Sequence, residues 1–213
     1  MPMQHKICAG AILLFLAGPN TVDASDRGFY LSGLVLHDDY QDLAIDAGPI
    51  LGDISLDQSW GYGLAAGFKV ASPLRLELEF ASRETDPLEL RALDIPDLRG
   101  ALEWQSLMVN AVFDLRLDST SLVPYLGAGL GLASVDVDRI GTAFFDINGD
   151  DDALAWQALI GFSVPLDSQW SLALDARYLK SDDLSVSLQP VGVPAEMIQV
   201  EAVSVAASLR YHF

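Results

Sequence analysis

Few residues are of a type and spacing that could carry chemistry. His37 stands beside Asp38 and Asp39, the ingredients of a histidine–carboxylate dyad that a nearby serine would complete for acyl transfer. Glu77 and Glu79 form an i, i+2 carboxylate pair of the sort used for acid and base work. Asp146-Ile-Asn148-Gly-Asp150-Asp-Asp152 strings hard oxygen ligands at calcium-loop spacing. Each has a plainer reading. His37 is a polar residue at a strand end. Glu77 and Glu79 alternate with Arg75 and Arg83, which makes them ion-pair partners. The aspartate run has no glycine after Asp150, and the position for a bidentate glutamate falls on Gln157, inside a strand. The expectation is therefore no catalytic residue, no metal site, no cofactor and no enzymatic activity.

The elements that hold these residues have period two. Trp60, Tyr62, Leu64, Ala66, Phe68 and Val70 alternate with glycine, alanine and Lys69. Leu74, Leu76, Leu78 and Phe80 alternate with Arg75, Glu77, Glu79 and Ala81. The same pattern returns over 107–116, 126–132, 154–164, 170–178 and 203–213. A first strand, about 27–37, is apolar on both faces. That makes eight strands of a length able to cross a bilayer at a tilt. Short turns at Ser72-Pro73, 118–121 and 167–169 alternate with long polar segments at 38–58, 85–103, 136–152 and 180–201. Short turns at one end and long loops at the other are the asymmetry of outer-membrane barrels.

Composition agrees. Twelve Lys and Arg against 30 Asp and Glu give a net charge of −18, the wrong sign for a nucleic-acid binder. Half the chain is apolar (51%), yet no run of 18 apolar residues exists, so a helical membrane protein is excluded. One cysteine, Cys8, excludes a disulfide framework. Residues 1–24 read as a secretory signal: Lys6, an apolar stretch from Ile7 to Ala17, and Val22-Asp23-Ala24 before the cleavage point. Residues 25–213 are then one barrel domain.

Aromatics gather toward the ends of the apolar stripes (Trp60, Tyr62, Trp170, Tyr178, Tyr211, Phe213), where an interfacial girdle belongs. The apolar face should meet lipid. The other face should line a cramped lumen in which Lys69, Arg75, Arg83, Arg116, Arg177 and Arg210 pair with Glu77, Glu79, Asp114 and Asp175. That inventory carries an excess of two positive charges and too little apolar volume for a dry core. The long segments hold the acid: 38–58 alone carries six acids and no base.

Ser106-Leu-Met-Val-Asn110, Phe113-Asp-Leu115, Pro124-Tyr-Leu-Gly-Ala-Gly-Leu-Gly-Leu-Ala133, Ala155-Trp-Gln157, Arg177-Tyr178 and Arg210-Tyr-His-Phe213 resemble the small outer-membrane β-barrel family. This is the opacity-porin-like group related to the OmpA and OmpX transmembrane domains. The resemblance covers about residues 25–213 and implies an all-β, eight-stranded antiparallel up-and-down transmembrane barrel in the bacterial outer membrane. Its partners would be outer-membrane lipid and lipopolysaccharide, the barrel-insertion machinery through Phe213, and divalent cations at the acidic loops. The resemblance says little about role; with the acidic loops it leads to the expectation of an envelope-structural or surface-interaction protein. The alternative is a narrow, OmpW-like channel for small or apolar solutes, but the charged strand from Arg75 to Arg83 departs from an apolar-lined interior.

Overall fold

The computed structural model describes residues 28–40, 43–47, 50–56, 58–85, 87–90, 95–96, 99–115, 121–141, 146–182, 184–189, 193–198 and 201–213. The proposed signal segment, Arg116 and the 118–121 turn are largely or wholly outside them. In chain order the strands are β1 (Phe29–Tyr40), β2 (Leu43–Ala47), β3 (Ile50–Leu56), β4 (Ser59–Ala71), β5 (Leu74–Thr85), β6 (Pro87–Leu90) and β7 (Ile95–Pro96). They continue with β8 (Arg99–Asp114), β9 (Val123–Gly141), β10 (Asp146–Pro165), β11 (Trp170–Ser181), β12 (Leu184–Gln189), β13 (Val193–Ile198) and β14 (Glu201–His212).

Eight of them close a barrel. β1, β4, β5, β8, β9, β10, β11 and β14 pair antiparallel in that order, and β14 returns to β1. A lateral row that leaves β14 at Tyr211 passes Leu31, Ala66, Leu78, Val109, Leu130, Trp156 and Lys180 and comes back to β14 at Glu201, ten residues higher. That stagger tilts the strands, as closure of a twisted sheet requires.

Alternation decides which side chain meets which medium. Trp60 (69% exposed), Tyr62 (70%), Leu64, Leu130, Leu154 and Ile160 all stand on the outer surface. Their neighbours along the chain, such as Gly61, Gly63, Ala155 and Leu159, are buried. In β1 both faces are apolar because Phe29, Leu31 and Val35 point out while Tyr30, Leu34 and Leu36 point in. The aromatic girdles are in place. Phe29 packs on Phe68 (4.7 Å between ring centres), and Trp170, Tyr211 and Phe213 form a contiguous set at the short-turn end. Trp156 and Tyr178 (5.3 Å) pack together toward the other end. At the short-turn end Asp167 accepts bonds from the backbone N–H groups of Gln169 and Trp170, which closes the β10–β11 turn.

The long segments differ from their expected form as polar loops. β8, β9 and β10 continue straight through much of 99–103 and 136–152, reaching 16, 19 and 20 residues. The rest contain β2, β3, β6, β7, β12 and β13, which join edge to edge in the order β10-β12-β13-β2-β3-β6-β7. β6 lies against β8, so this upper sheet curls back on itself. The barrel thus carries a crown of strands above its membrane wall.

Candidate functional site

Charged side chains on the inner face form one connected network low in the barrel. Arg75 donates from Nε to Asp114 (2.9 Å), from Nη1 to the Tyr30 hydroxyl (2.7 Å), and to Glu77. Tyr30 donates to Glu77 as well. Arg210 reaches Glu77 (3.9 Å), and its guanidinium carbon lies 5.2 Å from the centre of the Tyr125 ring. Tyr125 donates to Asp175 (2.7 Å). Arg177 clamps Asp175 through Nε and donates through Nη1 to Glu79 at 2.6 Å. Asn110 and Gln157 extend the chain: Gln157 Nε2 donates to Asn110 Oδ1 (2.7 Å) and Asn110 Nδ2 to Glu79 (3.4 Å). Seven of the eight barrel strands contribute a side chain.

The eighth, β4, contributes room. Its inward positions are Ser59, Gly61, Gly63, Ala65 and Gly67. A Cβ at Gly67 would overlap the Tyr30 ring, and one at Gly61 would come within 2.7 Å of Arg83 Cγ. Glycine here is a matter of close approach, since long side chains from β1 and β5 lie across this strand.

A second cluster closes the upper lumen. Arg83 Nε lies 3.2 Å from both carboxylate oxygens of Asp38, which also accepts a bond from Ser204. Arg83 Nη1 donates to Ser106 (3.1 Å), and the guanidinium stacks 4.2 Å over Trp104. Trp104 Nε1 donates to Tyr40 (3.0 Å), whose hydroxyl bonds Ser59 (2.7 Å). Apolar groups fill the remainder: Leu34, Leu36, Ala65, Ala81 and Ala206 form one cluster, and Val112, Tyr125, Leu159 and Ala173 another.

Two expectations need correction. Asp38 belongs to the lumen and not to a loop, being fully buried in step with Tyr30, Ser32, Leu34 and Leu36. With it, four buried acids (Asp38, Glu77, Glu79, Asp175) and the part-buried Asp114 meet four buried arginines, so among the described residues the expected positive excess is absent. Lys69 is part-exposed near the short-turn end. The interior also holds more apolar volume than the sequence pattern suggested, because Trp104, Met108, Val112 and Leu159 all point inward.

The residues singled out for chemistry are dispersed. The pleat of β1 sends His37 outward, where it packs on Trp60 (4.8 Å), and Asp38 inward to Arg83. No dyad forms. Glu77 and Glu79 each hold an arginine. Asp146–Asp152 is part of β10, paired with β9 and, at its start, with β12. The backbone of this run is therefore extended, where calcium-loop spacing calls for a loop. One pair was missed: Ser171 Oγ and His212 Nε2 are 2.9 Å apart at the short-turn end, brought together by β11–β14 register. Among the described residues no carboxylate bonds that histidine, so the orienting third member of a triad is missing.

A closed, antiparallel barrel with lipid-facing apolar stripes, aromatic girdles and an ion-paired lumen defines a class. The family model described as outer membrane protein beta-barrel domain matches residues 8–213. The chain belongs to this outer-membrane β-barrel family. It is 26% identical to outer membrane protein PagN of Salmonella typhimurium, over 60% of each chain. Its fold is similar to OprG from Pseudomonas aeruginosa (TM-score 0.63, 15% identity, 88% of this chain and 96% of that one). It also resembles Neisserial surface protein A (TM-score 0.59, 16% identity, 87% and 97%). Such family members reside in the bacterial outer membrane, and this barrel's outer surface is in contact with lipid.

Proposed function

We propose that this barrel is a non-enzymatic envelope protein that works through its outer surface and its acidic crown, with no solute passing through its lumen. The observation that carries this reading is the inner network, which ties seven strands together with paired charges while apolar clusters fill the gaps. A buried charge stays ionised only when paired, and moving a solute through would break several such pairs together. The Asp38–Arg83 pair, stacked on Trp104, makes a second barrier in series.

In this reading the chain is exported by a signal ending at Ala24 and inserted with Phe213 as its recognition end. The acids that the sequence concentrates in the long segments attract divalent cations and repel other anionic surfaces. Planar-bilayer recordings on the refolded protein test the sealed lumen. Steps no larger than those of protein-free membranes are expected; steady unitary conductance would favour the channel reading.

A further inference from the structure

The charges of the lumen balance in number but not in place. Arg75 bonds two carboxylates, Glu77 and Asp114, and Arg177 bonds two, Glu79 and Asp175. Arg83 holds Asp38. Arg210 on β14 is the exception. Among the described residues no carboxylate oxygen lies within hydrogen-bond distance of it. Glu77 is 3.9 Å away and already holds Arg75 and Tyr30. Arg210 Nη2 makes a long bond to the Tyr125 hydroxyl (3.5 Å), which gives its own proton to Asp175. A buried guanidinium so placed lacks the ionic partner that would offset its desolvation.

Beside it stand more donors without acceptors. Arg210 Nε has no hydrogen-bond partner among the described residues, and neither have Ser32 Oγ and Ser208 Oγ. All three residues are buried, Arg210 being the most exposed at 7%. Register makes them neighbours. Ser32 on β1 is directly opposite Arg210, and Ser208 is the next inward residue above it on β14. Opposite and diagonal positions on one face of an antiparallel pair are about 5 and 7 Å apart, within reach of one small bridging acceptor. Buried polar groups are as a rule satisfied, so three neighbours that are not point to a common partner.

Charge and space define that partner. Water would satisfy the hydroxyls but leave the Arg210 charge unpaired; an anion does both. The guanidinium carbon of Arg210 lies 5.7 Å from the centre of the Tyr30 ring and 5.2 Å from that of Tyr125. Arg75 lies 5.7 and 4.8 Å from the same two rings, bringing a second positive charge into this layer. Two guanidinium groups and two rings crowd it, which favours a monatomic ion over a tetrahedral one. The inward residue below Arg210 is His212, part-exposed at the short-turn end where it meets Ser171 (2.9 Å).

We propose that Arg210 Nε, Ser32 Oγ and Ser208 Oγ form a site for one halide ion, taken up from the short-turn end. The ion ties β14 to β1 from the inside, across the seam where the barrel closes. This goes beyond the surface role proposed above and stands or falls separately from it.

The test uses the full barrel in phosphatidylcholine vesicles, unfolded by urea while sodium gluconate is replaced by sodium chloride at constant ionic strength. The folded-to-unfolded ratio should rise in proportion to chloride above its dissociation constant, as for one ion per barrel. Ser32→Ala and Ser208→Ala should each weaken binding by about tenfold, since each removes one hydrogen bond to an ion. Ser204→Ala removes a hydroxyl that serves Asp38 in the upper cluster and should leave the chloride response unchanged. Crystals of the unaltered barrel grown in sodium bromide give a readout that needs no variant to fold. An anomalous peak in contact with Arg210 Nε, Ser32 Oγ and Ser208 Oγ is expected. No peak there would mean that water satisfies these groups, and the proposal would be wrong. Stability independent of chloride would overturn it too. So would a chloride response that survives the combined Ser32→Ala and Ser208→Ala changes, since that is a general salt effect.

Discussion

Arg177 on β11 crosses the lumen to Glu79 on β5, with 2.6 Å between Nη1 and Oε1 and 98 residues between them in sequence. Both side chains are almost wholly inaccessible to solvent. An ion pair so placed is held by geometry more than by net energy: its formation roughly balances desolvation, but removing one partner strands the other.

Arg177→Ala should therefore destabilise the folded barrel by about 3–5 kcal/mol, since Glu79 and Asp175 lose their shared cation. Urea titration in lipid vesicles measures this. A loss below about 1 kcal/mol would mean that water reaches the site and screens it.

Gly67→Ala should cost about 1–3 kcal/mol, because the added methyl displaces the Tyr30 ring and with it the bonds to Arg75 and Glu77. Gly33→Ala is the control, with nothing within 4 Å of a Cβ there. The same titration on both variants gives the comparison. Equal effects would show that backbone preference, not the Tyr30 contact, governs both sites.

Ile160→Arg places a cation on the lipid face, four residues below the girdle residue Trp156 on β10. The expected cost is about 2–4 kcal/mol, as for a charge near the bilayer midplane. Asp152→Arg, above that girdle on the same face, should cost far less. Similar costs at the two positions would shift the membrane boundary.

Much of this was legible as parity. The faces of β4, β5, β8, β9, β10, β11 and β14 follow directly from alternate apolar residues, since lipid on one side and a narrow lumen on the other leave no freedom of register. Asp38 was hidden because a charge after an apolar run looks like the start of a loop. Only its step with Tyr30, Ser32 and Leu36 puts it inside. The crown was hidden for a related reason. Its strands are two to seven residues where the whole strand belongs to it, and acids among them look like solvated loop. Ser171 and His212, 41 residues apart, meet only through the pairing of β11 with β14, which no local pattern announces.

Site-directed labelling along β10 tests the orientation of the wall most directly. Cysteines placed singly at Ile160 and Phe162, and at Leu159 and Gly161, carry a spin label in reconstituted membranes. Labels at 160 and 162 should collide freely with dissolved oxygen in the hydrocarbon, and those at 159 and 161 should be shielded from it. The reverse phase, with 159 and 161 meeting lipid, would turn the barrel inside out and contradict the ion-paired lumen.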